Sequence, residues 1–326
     1  IKIDDELLFP EGHDLSKLEM KMTHGISGFQ YKRLVNIDFE NREITSDANS
    51  ANIYILKPYS KPKANPLNEN YFPHISINEH LFMSFAKNEL GFRVPYSAII
   101  KRQNEEEYHY LVKRFDRLGI NRYAKTTFAP YLGLISSTKY DTTSEKLFTR
   151  IAKELTSPKE RMELLKHYAY SVIIQHEDMH TKNLSLIIES PKVFFSPLYD
   201  ISCTGIYDTT KKLDSTLTIN GKKKNIRLND FKVLCKILNV DFKEFKHEVS
   251  LIASIYKDKL PVYIDEIKSL GSIPFYKSKL KKKAGNDSDW VREKNSIEFS
   301  DVLFNFHKKR VEELISLNWI YKYTVN

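Results

Sequence analysis

The octapeptide HEDMHTKN at 176–183 admits two chemistries. Its first five residues, His176-Glu177-Asp178-Met179-His180, satisfy H-E-x-x-H. In that pattern two histidines one helical turn apart hold zinc, and the glutamate is the general base. Its last six, Asp178-Met179-His180-Thr181-Lys182-Asn183, place an aspartate five residues before an asparagine. That spacing suits phosphoryl transfer: the Asp accepts the proton of the attacking hydroxyl and the Asn holds Mg²⁺. The zinc reading requires one helix to run through His180. The downstream Gly and third His of its extended form are absent, although a carboxylate could serve as third ligand among so many glutamates.

The phosphoryl reading demands more parts, and they occur in order. Two short apolar runs, LSLII (184–188) and VFFS (193–196), read as strands and lead into Ser196-Pro197-Leu198-Tyr199-Asp200. Asp200 therefore stands just past a strand, where a metal-holding carboxylate belongs. Hard divalent cations take oxygen ligands, which Asn183 and Asp200 supply. Upstream, Gly25-Ile26-Ser27-Gly28 offers a small-residue loop whose backbone N–H groups can approach phosphates. Lys57 ends the strand YILK, and Glu79 opens the helix that follows, where it can fix that lysine. A Gly-x-x-Gly is by itself usually a turn and a strand-end lysine usually solvated; it is the ordered conjunction that favours phosphoryl transfer.

The elements that must position these residues are legible as patterns. YKRLVNIDF (31–39) and ANIYILKP (51–58) are β-branched and aromatic runs, separated by the polar, turn-rich ENREITSDANS. Residues 59–74, with three prolines and three asparagines, read as a long exposed loop. INEHLFMSFAKNELG (77–91) reads as an amphipathic helix ending at Gly91, and SAIIKRQNEEEYHYLVKRFD as a hairpin. Beyond Arg117 helical spacing takes over, at 144–156, 159–175, 229–238, 241–269 and 300–318. The prediction is an α+β chain in two parts: a β-rich N-lobe over 1–112 and a mainly helical C-lobe over 113–326.

Composition narrows the setting. The chain has 326 residues, 41% hydrophobic and 29% charged, as in ordinary folded proteins. No run of 18 apolar residues suggests a membrane span, and IKIDDELLFPEGHD lacks a signal-peptide pattern, which together point to the cytoplasm. Two cysteines, Cys203 and Cys235, fit a reducing compartment rather than a disulfide framework. The net charge of +9 permits an anionic partner. GKKKN (221–225) and KSKLKKK (277–283) are the most basic runs, and each taken singly reads as a solvated face.

With these residues in view, the chain resembles the HipA family of bacterial serine/threonine kinases, the toxins of toxin–antitoxin systems. ISGFQYK (26–32) resembles the family's phosphate loop, YILKP (54–58) its ATP-lysine strand and INEH (77–80) its Asn-Glu helix start. LVKRFDR (111–117) resembles its hinge, DMHTKNLSL (178–186) its catalytic core, SPLYDIS (196–202) its metal site and LTINGKKKNI (217–226) a segment of its C-lobe. The resemblance implies a bilobal, protein-kinase-like fold and the use of ATP and Mg²⁺. It casts Asp178 as catalytic base and Asn183 and Asp200 as Mg²⁺ ligands. Lys57 meets the ATP phosphates, and the backbone of Lys113 and Phe115 meets adenine. Ser27, Gly28, Phe29, Gln30 and Lys32 shape the phosphate loop. His180, Lys182 and Tyr199 line the site. Lys182 stabilises the charge in transfer, and His180 is either a lining residue or a brace for its loop. Glu177 and His176 are bystanders.

Relatives commonly silence themselves by phosphorylating a loop serine, one position of which is Gly25 here. Ser27 is then the candidate autophosphorylation site, where phosphate would add about two negative charges in the place of ATP's own. The phosphate loop starts near residue 23, as in the HipT toxins of three-gene HipBST-type systems, whose missing N-terminal subdomain is a separate small HipS-like protein. The expected partners are that protein, a helix-turn-helix HipB-like antitoxin through which DNA is met indirectly, and a protein substrate. Aminoacyl-tRNA synthetases are the substrate class implied. A small-molecule phosphotransferase of the aminoglycoside or choline type shares the Asp-x-His-x-x-Asn spacing and is the main rival. A non-catalytic, DNA-bound module is a lesser one.

Overall fold

Strand alternation builds one wall of the molecule. In β3 (Tyr54–Lys57), Tyr54 and Leu56 face one side while Ile55 and Lys57 face the other. Tyr54 and Leu56 join Val35, Ile44, Ile100 and Leu111 in a small apolar cluster on the outer face. The strand belongs to a five-stranded antiparallel sheet with β1 (Arg33–Asp38), β2 (Glu43–Thr45), β4 (Ser97–Ile100) and β5 (His109–Lys113), in the order β2-β1-β3-β5-β4. Lys57 lies opposite Tyr110 of β5, with its ammonium 5.3 Å from that ring. In this computed structural model the residues described are 32–38, 43–45, 53–59, 72–101, 105–118, 121–134, 140, 142–208, 210–276 and 296–320. The expected phosphate loop at Gly25, Ser27, Gly28, Phe29 and Gln30, most of loop 59–74 and the run 277–283 fall outside them.

Helix α1 (Ile75–Asn88) connects β3 to β4 and differs from the amphipathic helix its sequence suggests. From Ser76 to Met83 every side chain is buried, as are Phe85 and Ala86, because the sheet covers one face and helical elements the other. It also begins four residues before Glu79, right after the Pro73–His74 turn, so Glu79 sits one turn inside the helix rather than opening it.

After β5 the chain forms a hairpin, β6 (Arg117–Leu118) and β7 (Asn121–Arg122), then β8 (Ala124–Thr127) and the single turn α2 (Phe128–Tyr131). Helices α3 (Ser144–Glu154) and α4 (Pro158–Ile173) start at side-chain caps, Thr143 accepting from Lys146 N and Ser157 from Glu160 N. Strands β9 (Ser185–Glu189) and β10 (Lys192–Phe195) follow, and β8 joins them in a sheet of order β10-β9-β8. Then come α5 (Lys232–Leu238), α6 (Phe242–Glu266), the pair β11 (Pro274–Tyr276) and β12 (Ser296–Glu298), and α7 (Phe299–Ser316). The fold is α+β, and one apolar core runs without interruption from α1 and β5 through α3, α4, α6 and α7. Among the described residues no helix is long and apolar enough to cross a membrane.

Candidate functional site

A cleft runs between the inner face of the five-stranded sheet and the segment that joins α4 to β9. Two adjoining cavities of about 610 and 420 Å³ occupy it, and Lys32, Glu79, Asn183 and Asp200 line both. The larger is bounded by Ile55, Lys57 and Val112 of the sheet and by Lys113, Phe115, Lys182 and Tyr199. The smaller holds Tyr140, Asp178 and His180 and opens toward Thr210 and Lys211.

Three elements converge at the shared wall. The Lys57 ammonium lies 2.7 and 2.6 Å from the two carboxylate oxygens of Glu79 and 2.5 Å from Asp200 Oδ1. Lys32 Nζ donates to Asp200 Oδ2 at 3.2 Å. Burial alone would raise the Asp200 carboxyl, but Lys32 and Lys57 overcome it and hold the group well below the usual carboxylate range. Burial likewise works to lower Lys57, and the charges of Asp200 and Glu79 reverse that, so the lysine is held above its ordinary value. Asp200 has φ 56°, a left-handed backbone that an aspartate tolerates better than most residues and that turns the chain after Tyr199.

The HEDMHTKN stretch is not helical. Helix α4 ends at Ile173, and Gln175 with φ 55° breaks it before the first histidine. The two imidazoles therefore do not stack on a helical face, which removes the geometry the zinc pattern needs. Buried His176 engages Ser202 instead, with its Nδ1 2.8 Å from the carbonyl oxygen. Glu177 accepts from Lys211 N and Leu213 N, both at 2.9 Å. The two expected bystanders thus fasten the chain after Asp200 to the chain before Asp178. Gly205 belongs to the same junction: an added Cβ would stand 2.3 Å from Gln175 Oε1 and 2.6 Å from the Phe306 ring.

The Asp178–Asn183 turn is closed from within. Asn183 Nδ2 donates to the Asp178 carbonyl at 2.9 Å and Asn183 N to the His180 carbonyl at 2.9 Å. The start of α2 steadies it from below, since Phe128 N and Ala129 N both donate to the Thr181 carbonyl. Lys182 is pinned through its backbone, its N–H on His180 Nδ1 and its carbonyl receiving the Tyr199 hydroxyl at 3.0 Å. Tyr199 in turn contacts the Phe115 ring at 5.2 Å, and the Lys125 ammonium lies 4.8 Å from both rings. The Lys113 N–H is already given to the Tyr96 carbonyl at 2.8 Å, so only its carbonyl end remains for the expected adenine contact.

The structure thus gathers Lys32, Lys57, Glu79, Lys113, Phe115, Asp178, His180, Lys182, Asn183, Tyr199 and Asp200 around one cleft. Sequence reasoning missed several neighbours. Asn78, whose side chain exchanges two hydrogen bonds with the Cys203 backbone, stood beside Glu79 in the quoted INEH. Asp116, gripped by Arg114 through two hydrogen bonds, stood in the quoted hinge. Tyr140, which donates to Asp178 Oδ1 at 2.7 Å, carried no signal of its own. Burial, then the nearby Asp178 charge, push its hydroxyl up, so it remains a donor.

This sheet, helical body and charged cleft define a HipA-like variant of the bilobal, protein-kinase-like fold. The model of the HipA-like C-terminal domain matches residues 24–269, and the chain belongs to that family. In structure it is similar to a chain of the HipA, HipB and operator DNA complex of the Shewanella oneidensis MR-1 toxin–antitoxin system. That match has TM-score 0.62 and 16% identity over 93% of this chain and 67% of that one, a likeness of fold. In sequence, 138 residues are 32% identical to the Sinorhizobium fredii protein named "Putative kinase Y4dM", covering 39% of this chain and 34% of that protein, about a third of its length. A Helicobacter pylori proinflammatory kinase, CtkA, superposes with TM-score 0.48 at 16% identity over 82% of this chain and 87% of that one.

Proposed function

We propose that this chain is an ATP- and Mg²⁺-dependent protein serine/threonine kinase and the toxin of a HipA/HipT-type toxin–antitoxin system. The observation that carries the reading is one cleft in which the Lys57–Glu79–Asp200 network faces the Asp178–Asn183 turn. The donor set fits Mg²⁺. Asp200 offers an ionised carboxylate, and Asn183, whose amide nitrogen is spent on Asp178, keeps its amide oxygen for a hard cation. When bound there, Mg²⁺ would neutralise charge between the phosphates of ATP.

The protein's own groups would do the rest. Lys57, held by Glu79, and Lys32 would receive the phosphates, and Ser27, Gly28, Phe29 and Gln30 would belong to the phosphate loop. Adenine would lie against Phe115 and the Lys113 carbonyl in the larger cavity. Asp178 would orient the acceptor hydroxyl and take its proton as the hydroxyl oxygen bonds to the transferring phosphoryl group. Lys182 would stabilise the charge in transfer. Residues 1–112 would form the nucleotide-binding lobe and 113–326 the catalytic one. Ser27 would be the autophosphorylation site.

A HipB-like antitoxin is the partner we assign, with DNA met only through it. The Shewanella neighbour, crystallised with HipB and operator DNA, supports this. A small HipS-like protein and an aminoacyl-tRNA synthetase substrate complete the proposal, placed in the cytoplasm. The test is label transfer from γ-labelled Mg-ATP to the protein and to cell lysate, beside Asp178→Asn and Lys57→Met. Labelled serine or threonine in the parent, with each variant down at least about 100-fold, is expected. Equal labelling by parent and Asp178→Asn would sink the assignment. Label confined to small molecules would move it to the small-molecule phosphotransferases.

A further inference from the structure

Asp178 is held asymmetrically. Among the described residues its polar side-chain contacts fall on Oδ1: the Tyr140 hydroxyl donates at 2.7 Å, and His180 Nε2 lies 3.7 Å away. Among the described residues Oδ2 has no partner, and the side chain is 45% exposed, toward the smaller cavity. The histidine's role is set by its other nitrogen. Lys182 N donates to Nδ1, so a neutral ring carries its proton on Nε2, on the side of Asp178. Tyr140 and His180 are also joined to each other, the rings 5.3 Å apart and inclined at 62°. A carboxylate has two equivalent oxygens and rotates about its terminal bond with little hindrance. The Tyr140 hydrogen bond on one oxygen restricts that freedom, and the His180 ring stands beside the same oxygen.

We infer that Tyr140 is a positioning residue for phosphoryl transfer: its hydroxyl, with His180 behind it, fixes the Asp178 carboxylate so that Oδ2 is presented to the acceptor hydroxyl. The inference rests on the kinase reading above and adds which oxygen takes the proton and what aims it. Without the phenol oxygen, Asp178 turns among several orientations, and fewer encounters place Oδ2 in line with the acceptor. Nucleotide binding lies across the cleft and is left alone. A reduction in turnover of about 10- to 100-fold is the scale that small misplacements of a reacting group produce. The rival arrangement, in which Tyr140 stands where the acceptor belongs and must leave, predicts the opposite sign.

The experiment measures ADP formation from Mg-ATP, with casein as acceptor, for the parent, Tyr140→Phe, Asp178→Asn and the double variant. Tyr140→Phe removes one oxygen and keeps the ring against His180, and its melting temperature is checked against the parent's. Expected are kcat lower by about 10- to 100-fold, KM for ATP within about twofold, and no further loss when Tyr140→Phe is added to Asp178→Asn. Unchanged or increased turnover in Tyr140→Phe, or losses that add in the double variant, would overturn the inference and leave the kinase reading standing. Absence of ADP from the parent, together with no label transfer to the protein itself or to cell lysate, would overturn both.

Discussion

At the shared wall of the cleft two carboxylates compete for one buried ammonium, and their surroundings separate them. Asp200 is held far below its usual range by Lys32 and Lys57 against its burial. Glu79 is pushed up to about 7, first by burial and with Asp200's charge adding, while Lys57 pulls the other way. Lys57 is thus tethered to Glu79 for place and to Asp200 for charge. Removing Glu79 leaves Lys57 one partner, so the loss is smaller than for a wholly orphaned buried ion. Glu79→Ala is expected to cost about 1–3 kcal/mol in urea unfolding and to raise the KM for ATP several-fold, with Glu79→Gln intermediate because it keeps a hydrogen bond. Glu79→Ala with wild-type stability and wild-type KM would mean that the pair does not position Lys57.

At the scale of elements, α4 carries a pH-dependent load. Its His167 is buried between the rings of Phe92 and Phe195, 4.6 and 5.0 Å away, and neither ring nitrogen has a hydrogen-bond partner among the described residues. Burial, then Arg93 and Lys166, lower its pKa from 6.5 to about 3, although Glu163 stands 3.9 Å from Nε2. Between those values the unfolded chain binds a proton that the folded chain refuses. Stability from this group is therefore complete above pH 6.5 and falls as the pH drops toward 3. At pH 5 the loss is about 2 kcal/mol. Melting temperatures at pH 5 and 7.5 should show a smaller acid loss for His167→Phe than for the parent, and equal losses would refute the account. The same helix ends the zinc reading, because Gln175 breaks it before His176.

Across the whole molecule, helix α7 secures the end of α4, just before the HEDMHTKN stretch, from behind. Buried Arg310 donates to the Val172 and Ile173 carbonyls at the end of α4 at 2.6 and 3.0 Å. It also pairs with buried Asp214 at 3.0 Å, and Asp214 Oδ2 receives Ile226 N. One side chain so ties α7, the end of α4 and the segment beyond Asp200. Arg310→Met keeps the apolar stem but orphans a buried carboxylate, for an expected loss of about 3–5 kcal/mol. Calorimetry tests this, and Arg310→Met with Asp214→Asn should lose less than the two variants summed.

That Lys57, Glu79, Asp178, Asn183 and Asp200 come together at one cleft was legible in the sequence, because the pattern proposed for phosphoryl transfer specifies residue type, chain order and, for one pair, spacing. Helix α3 was legible because burial on one side, at Ser144, Leu147, Phe148 and Ile151, imposes a helical period on the chain. The short strands Glu43–Thr45 and Ala124–Thr127 were not, since Glu-Ile-Thr offers a single apolar residue and AKTT only its alanine, and both are strands through their neighbours. Helix α1 read as amphipathic because its sequence could not announce that both faces would be covered. Tyr140, Asn78 and Arg310 reach partners 38, 125 and up to 138 residues away, so no local pattern marks them. The sequence by itself determined which groups can do chemistry and in what order the chain delivers them. Only the tertiary structure decided which oxygen of Asp178 is held and which lysine meets which carboxylate, because those depend on distances that only packing sets.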